Sequence, residues 1–353
     1  MNENPKILEY MLNNNVEFRE ANKLKMTALM WAAKTGREKN VELLLKKGDI
    51  SKKKSRDGYA AIHYAALNNH IAVIKVMAEN GADINLPGKD RMTPLAIAAS
   101  RGHYETVKFL LEKGAKTIKK DKYKRSPLIL ALKNCHAKIA SLLITHGCPV
   151  DEPDSSDNFP IHYACAYGCY DAIDFLIRAG ASPNVYNSWK LTPIAAAMMK
   201  NHFGIINKLL DYPDIDVNCK DDNGRTLVSN SVRNLNEKAV NFVEMIIKMH
   251  NADIEIPDLK QRTPLHHMMI IHSGSIYPIL KQNAGMLRNP NAIKVEYQAK
   301  ITLFIRLLNL LSHESLKIFN KADDSNQHPL EYFASGLRTL LSFNFLSVLP
   351  QTS

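Results

Sequence analysis

The sequence predicts an all-α solenoid: helix–turn–helix units stacked in one array and joined by β-hairpin-like loops. Three observations predict it. The first is a fixed period. Residues 27, 60, 93, 126, 159 and 192 head similarly patterned stretches spaced by 33, and looser copies begin at 226, 263 and 328. The second is a helix start in each copy, most clearly Thr93–Pro94. A threonine hydroxyl can accept an orphan backbone N–H, and proline at the first helical position gives up no useful donor. The third is a second apolar helix ended by glycine. In Arg91–Ala115, Val107, Leu110 and Leu111 fall at helical spacing and Gly114 follows. A unit of about 25 residues cannot bury its own apolar face, so it must stack on its copies.

Taken in order, residues 1–21 read as a half-repeat acting as N-terminal cap. Ile7, Leu8, Met11 and Leu12 form its second helix, and Asn15 stands at the glycine stop. Residues 22–220 hold six regular repeats, with first helices TALMWAA, AAIHYAA, TPLAIAA, SPLILAL, FPIHYAC and TPIAAAM. Repeat four is the weakest of these, because Lys124 occupies a tip position that favours glycine. Residues 221–288 hold two irregular repeats. One has extra residues near Asn234–Lys238, and the other is interrupted by Ser273, Gly274 and Pro278. Residues 289–353 hold a degenerate repeat and a capping repeat. Ile301, Phe304, Ile305, Leu307, Leu308 and Leu311 make one apolar helix there, and Leu337–Leu349 make a second without a polar outer face.

The period together with the T-P-L-H-x-A core, its T-P-L-H part in TPLHHMM and its H-x-A part in AAIHYAA and FPIHYAC, resembles the ankyrin-repeat family from near the N-terminus to about residue 288, and again from about residue 320. The resemblance implies that partners dock on the concave face, built of loop tips and first helices.

Composition narrows the function further. Lys and Arg number 46 against 35 Asp and Glu, a net charge of +11, which favours acidic partners. The five cysteines lack framework spacing, so reduced thiols in a reducing compartment are expected. The opening MNENPKILEYML has no cationic head and no apolar core of a leader, and the apolar runs are too short and too interrupted to span a bilayer. The expected location is cytoplasmic, with SKKKSR at Ser51–Arg56 a weak basic signal for the nucleus.

No catalytic constellation emerges, and no cofactor or metal is expected. The glycines around Gly81 and Gly88–Lys89 have the wrong spacing for a phosphate loop. His63, His162 and His266 share the TPLH position, where a hydrogen bond to neighbouring loop backbone accounts for them. His266, His267 and His272 lack a partnering carboxylate or thiolate at matching spacing. Trp31 and the Met198–Met199 and Met268–Met269 pairs read as helix packing.

What remains is surface. Four residues before the markers of repeats one to four stand Lys23, Arg56, Lys89 and Lys122, a basic file whose members stack about 10 Å apart. Tyr59, Arg101, Tyr123 and Arg125 flank it, Tyr167 and Trp189 extend it, and Arg225 continues the register one residue before the marker. Tyr, Trp and Arg are the residue types that dominate interface energies. The expected function is a monomeric, non-enzymatic scaffold that binds an acidic protein segment, with no small-molecule substrate and no membrane insertion. Two alternatives stay open: a substrate-recruiting arm of a larger ADP-ribosyltransferase, kinase, acyltransferase or ubiquitin ligase, and a nuclear protein associated with nucleic acid, for which no recognition motif is present.

Overall fold

The computed structural model describes residues 5–14, 20–48, 52–233, 236–272, 295–313 and 321–329, and contains no strand among them. It divides into two compact units, Met1–Ser188 with Met199–Leu209, and Trp189–Met198 with Leu210–Ser353.

The first unit is a two-layer stack of helices. Its inner layer is α2 (Ala28–Lys34), α4 (Ala61–Leu67), α6 (Pro94–Arg101), α8 (Pro127–Lys133) and α10 (Pro160–Tyr167), each packed on the next. Its outer layer begins with α1 (Pro5–Asn13), the expected half-repeat helix, and continues through α3 (Glu38–Lys46), α5 (Ile71–Glu79), α7 (Tyr104–Glu112) and α9 (Ala137–Thr145). α11 (Ile173–Arg178) pairs with α10. Fully buried Ala65, Ala66, Ala98, Ala99 and Ala131 let inner helices approach closely, while Val41, Leu44, Ile74, Val107, Leu110 and Leu143 fill the space between layers.

Marker residues start the inner helices as the sequence predicts. Thr93 Oγ1 accepts from Ala96 N–H at 3.2 Å, and Ser126 Oγ accepts from Ile129 N–H at 3.2 Å. Where the marker is Ala60 or Phe159, a histidine three residues on substitutes. The Ala60 and Phe159 N–H groups donate to Nδ1 of His63 and of His162, each at 3.2 Å. His63 therefore carries its proton on Nε2 and donates to Leu86 carbonyl oxygen at 2.8 Å in the next loop. Burial pushes His63 down to about 4, so the ring is a neutral structural link between repeats. His266 does the same work with Thr263 N–H at 3.2 Å and Gln327 oxygen at 3.3 Å.

A second histidine register joins the inter-helix turns. His70, His103 and His202 place Nε2 3.1–3.2 Å from the carbonyl oxygens of Lys34, Leu67 and Ala166, which end the preceding repeat's inner helix. Where the turn residue is glycine, the next repeat's ring takes the space of a side chain. A Cβ at Gly102, where φ is +80°, would lie 2.7 Å from the His136 ring.

The second unit contains α12 (Pro193–Met199) up to Met198, α14 (Leu227–Ser231), α15 (Glu237–His250), α16 (residues 264–272) and α17 (Val295–His313). α13 (Phe203–Leu210) falls in the first unit up to Leu209. α15 packs on both α14 and α17, and Phe304, Leu307 and Leu311 are buried, as expected of the apolar helix. Asn236 caps α15 by accepting from Ala239 N–H at 2.9 Å. Asn15, Asn234, the interruption at Ser273–Pro278 and the helix expected over Leu337–Leu349 lie outside the described residues.

Two expectations need correction. The cysteines are not uniformly thiols, since Cys135 and Cys169 form a disulfide while Cys148, Cys165 and Cys219 are buried and outside any disulfide. The pair is separated by 34 residues, one period plus one, so repeat stacking rather than framework spacing brings it together. Trp31 and Met199 are not packed within the core, being 38% and 67% exposed.

Candidate protein-interaction surface

The loop tips are organised by an acidic residue that composition counts only as negative charge. Asp121 is buried, and its Oδ1 accepts from Tyr123 N–H at 2.9 Å and Arg125 N–H at 2.8 Å. Its own N–H donates to Arg125 carbonyl oxygen at 3.0 Å, closing the tip. Asn22, Asp154, Asp221, Asp258 and Asp323 repeat the arrangement five residues before their markers. The tip residue at positive φ is glycine at 58 and 224 but lysine at 25, 124 and 190, and Arg91, Asp157, Gln261 and Asn326 elsewhere. Lys124 is therefore no local weakness, because the aspartate turn holds its left-handed φ of 59°.

Backbone bonds stitch adjacent tips through the basic file itself. Arg56 N–H donates to Leu24 oxygen at 2.9 Å, Lys122 N–H to Asp90 oxygen at 2.8 Å, and Ser155 N–H to Tyr123 oxygen at 2.9 Å. Lys23, Arg56, Lys89 and Lys122 all have exposed side chains. Lys23, Arg56 and Lys89 have no ion-pair partner among the described residues. Lys122 differs: its Nζ lies 2.7 Å from Asp90 Oδ1 and 4.8 Å from the Tyr123 ring centroid. The hydrogen bond to Asp90 raises its affinity for the proton. The file is three unpaired cations and one neutralised one.

The flanking residues form a continuous strip from repeat two to repeat five. Tyr59 is half-buried against the rings of His63 and Tyr64, with centroids 5.7 and 5.8 Å away. Burial and the Asp90 charge push its hydroxyl upward, while exposed Arg101 opposes them. Next comes Lys122 over Tyr123. Arg125 then grips Asp121 Oδ2 through Nε at 2.8 Å and Nη2 at 2.6 Å, and its guanidinium carbon lies 4.8 Å from the Tyr123 ring centroid. Tyr163 and Tyr167 stack at 5.9 Å with 7° between planes, and the Tyr163 hydroxyl donates to Asp154 Oδ2 at 2.7 Å. Burial first, then Asp154, push that hydroxyl upward, while Arg125 opposes them. Tyr123 is 46% and Tyr167 47% exposed, so both offer ring surface to a partner.

Of the residues singled out in the sequence, the structure thus brings together Tyr59, Arg101, Lys122, Tyr123, Arg125 and Tyr167, with Lys23, Arg56 and Lys89 along the tips. Trp189 and Arg225 belong to the second unit. Trp189 is exposed, whereas Arg225 is half-buried with its Nε enclosed and without a hydrogen-bond partner among the described residues, which makes it a poor contact residue. Tyr163 and Asp90 are contributors that the tip register alone does not reveal. An aromatic recurring four residues after the marker, at Trp31, Tyr64 and Tyr163, is the sequence signal for the former.

A family model described as ankyrin repeats, three copies, matches residues 1–88, 53–121, 95–187 and 161–258. The chain is 30% identical over 203 residues to the poly [ADP-ribose] polymerase tankyrase of Caenorhabditis elegans, covering 55% of this chain and 8% of that protein. It is 32% identical over 107 residues to human Rabankyrin-5, covering 30% of this chain and 9% of that protein. It thus spans less than a tenth of the length of these relatives. Among solved structures, the human ASB11 ankyrin repeat domain superposes with a TM-score of 0.52 at 27% identity, over 57% of this chain and 90% of that one. No helix among the described residues is long and apolar enough to cross a membrane.

Proposed function

This chain belongs to the ankyrin-repeat family, and from that premise we propose that it is a scaffold whose first unit binds an acidic, partly apolar protein segment along its tips. Ankyrin arrays are non-catalytic interaction modules, so the function is carried by surface chemistry. The observation that carries the reading is the strip running from Tyr59 to Tyr167. It sets exposed aromatic rings beside cations, with Lys23, Arg56 and Lys89 unpaired along one edge. Carboxylates of the segment would meet the three unpaired cations, and its apolar side chains would meet Tyr123 and Tyr167. Asp57 and Asp90 sit in the same tips, so a uniformly acidic ligand is disfavoured there and spaced carboxylates fit better. A cytoplasmic location and a monomeric state belong to the same proposal.

Peptide display on the immobilised chain tests it. Enrichment of Asp and Glu spaced around an aromatic or aliphatic residue supports the reading, and enrichment of basic or wholly apolar peptides overturns it. A second reading, an array that recruits substrates to a larger enzyme, is favoured by the match to a tankyrase in which this chain accounts for 8% of the length. Blotting native extracts with an antibody to repeats one to five separates the two: a band far above 39.7 kDa supports the second.

A further inference from the structure

One inter-repeat contact is built from different chemistry than its counterparts. The turn between inner and outer helix places one residue at positive φ, namely Gly36, Asn69, Gly102, Cys135, Gly168 and Asn201 in repeats one to six. Thirty-four residues on, the next repeat sets a side chain against it. A Cβ on Gly36 would lie 2.7 Å from the His70 ring, and one on Gly168 would lie 3.0 Å from the His202 ring. At the junction of repeats four and five both members are cysteine. Cys135 takes the glycine place at φ 54°, and Cys169 takes the histidine place. Their Cα atoms are 5.0 Å apart, within the range a disulfide requires, and the structure joins them.

We propose that Cys135 and Cys169 are a reversible redox modification site, a dithiol that small disulfides such as oxidised glutathione convert into an inter-repeat staple. Both states are accommodated. The Cys135 sulfur lies 3.0 Å from Tyr167 carbonyl oxygen and the Cys169 sulfur 2.9 Å from Leu132 carbonyl oxygen, so each reduced thiol has an acceptor for its S–H. Cys135 is exposed and Cys169 is buried, which fixes the order of events. The Cys135 thiolate attacks one sulfur of oxidised glutathione, giving a mixed disulfide and releasing one glutathione thiolate. The Cys169 thiolate then attacks the Cys135 sulfur, closing the disulfide and releasing the second. The chain gives up two protons and two electrons, and the two glutathione molecules take them. The other cysteines are protected: Cys148, Cys165 and Cys219 are buried, and burial pushes Cys148 up to about 11 and raises Cys165 as well.

The test uses the full chain, purified in reductant, freed of it, and equilibrated with glutathione redox buffers. Thiols are then blocked and the chain is digested without reduction for mass spectrometry. The expected product is a Cys135–Cys169 linked peptide pair lighter by two hydrogens, in monomeric chain. The oxidised chain should melt about 5 °C or more above the reduced chain, and reductant should reverse the shift. A lasting glutathione adduct on Cys135, a dimer linked through Cys135, or an absence of any oxidised product would overturn the proposal. Cys135→Ser should lose the redox-dependent shift. Because serine at positive φ is itself strained, the double variant Cys135→Gly, Cys169→His recreates the Gly102–His136 junction and serves as the folded control. It should melt at one temperature in both buffers, and a persistent shift would assign the effect to other cysteines and sink the proposal.

Discussion

Asp121→Ala is the most informative single perturbation of the tips. The carboxylate has a fully buried side chain and accepts two backbone N–H groups through Oδ1 and the Arg125 guanidinium through Oδ2. Hydrogen bonds to a charged group contribute about 1.5–3 kcal/mol each, and stripping one partner from a buried ion pair costs about 3–5 kcal/mol. These terms share one side chain and do not add. Arg125 is partly exposed and can turn to solvent, so the expected loss is about 3–4 kcal/mol. Asp121→Asn keeps the Oδ1 acceptor, as Asn22 does in repeat one, and loses only the charge opposite Arg125. It should cost about 1–2 kcal/mol. Because repeat arrays need not unfold in one step, the assay is amide hydrogen exchange on peptides covering residues 121–133, alongside urea melts. Equal losses for the two variants would deny the Oδ1 turn bonds any weight beyond the Arg125 pairing. Losses below about 1 kcal/mol for both would refute the turn argument altogether.

Three further outcomes are expected. Leu110→Ala, at a fully buried site between layers, should cost about 2–5 kcal/mol, and Lys113→Ala, on the exposed turn after it, under about 0.5 kcal/mol; similar urea midpoints would mean that α7 is faced wrongly. Gly102→Ala should cost about 1–3 kcal/mol, because φ is +80° and the new methyl meets the His136 ring, and a neutral result would contradict that contact. His63 sits at about 4 when folded against 6.5 ordinarily, so the unfolded chain binds the proton that the native chain refuses. Its contribution is complete above pH 6.5 and is lost as pH falls toward 4, by about 3 kcal/mol at the limit. The acid limb of stability should therefore flatten in His63→Asn, and superimposable wild-type and variant profiles would contradict the buried neutral ring.

The fold was legible because its information is periodic. Thr93, Ser126 and Thr226 cap their helices as their sequence neighbours announce, and the alanines of AAIHYAA and TPLAIAA lie where helices meet. Even the weak marker residues follow a readable rule, since His63 and His162 supply the acceptor that Ala60 and Phe159 lack. What a column-by-column reading loses is the pairing between neighbouring columns of successive repeats. Lys122 is one of four cations in its register, yet Asp90, one tip earlier and one column over, neutralises it. Cys135 and Cys169 belong to adjacent columns of adjacent repeats, so neither cysteine number nor local spacing exposes the bond. Lys124 looks like a poor tip residue until Asp121 is recognised as the group that sets the turn. Tyr163 is invisible to a search of the tips because it rises from α10, yet it backs Tyr167 and ties the strip to Asp154.

The central claim is that the tip edge of the first unit, rather than net charge, selects an acidic segment. Fluorescence anisotropy with one display-selected acidic peptide tests it on three proteins over a salt series: wild type, Lys23, Arg56, Lys89 and Lys122 all changed to Glu, and the exposed outer-helix lysines Lys39, Lys75, Lys108 and Lys138 all changed to Glu. Each variant lowers the formal charge by 8, from +11 to +3. The tip variant should lose at least about tenfold in affinity, with a flatter salt dependence, while the outer-helix variant stays within about threefold of wild type. Equal losses in both variants would show that only net charge matters, and unchanged binding in the tip variant would place the contact elsewhere on the chain.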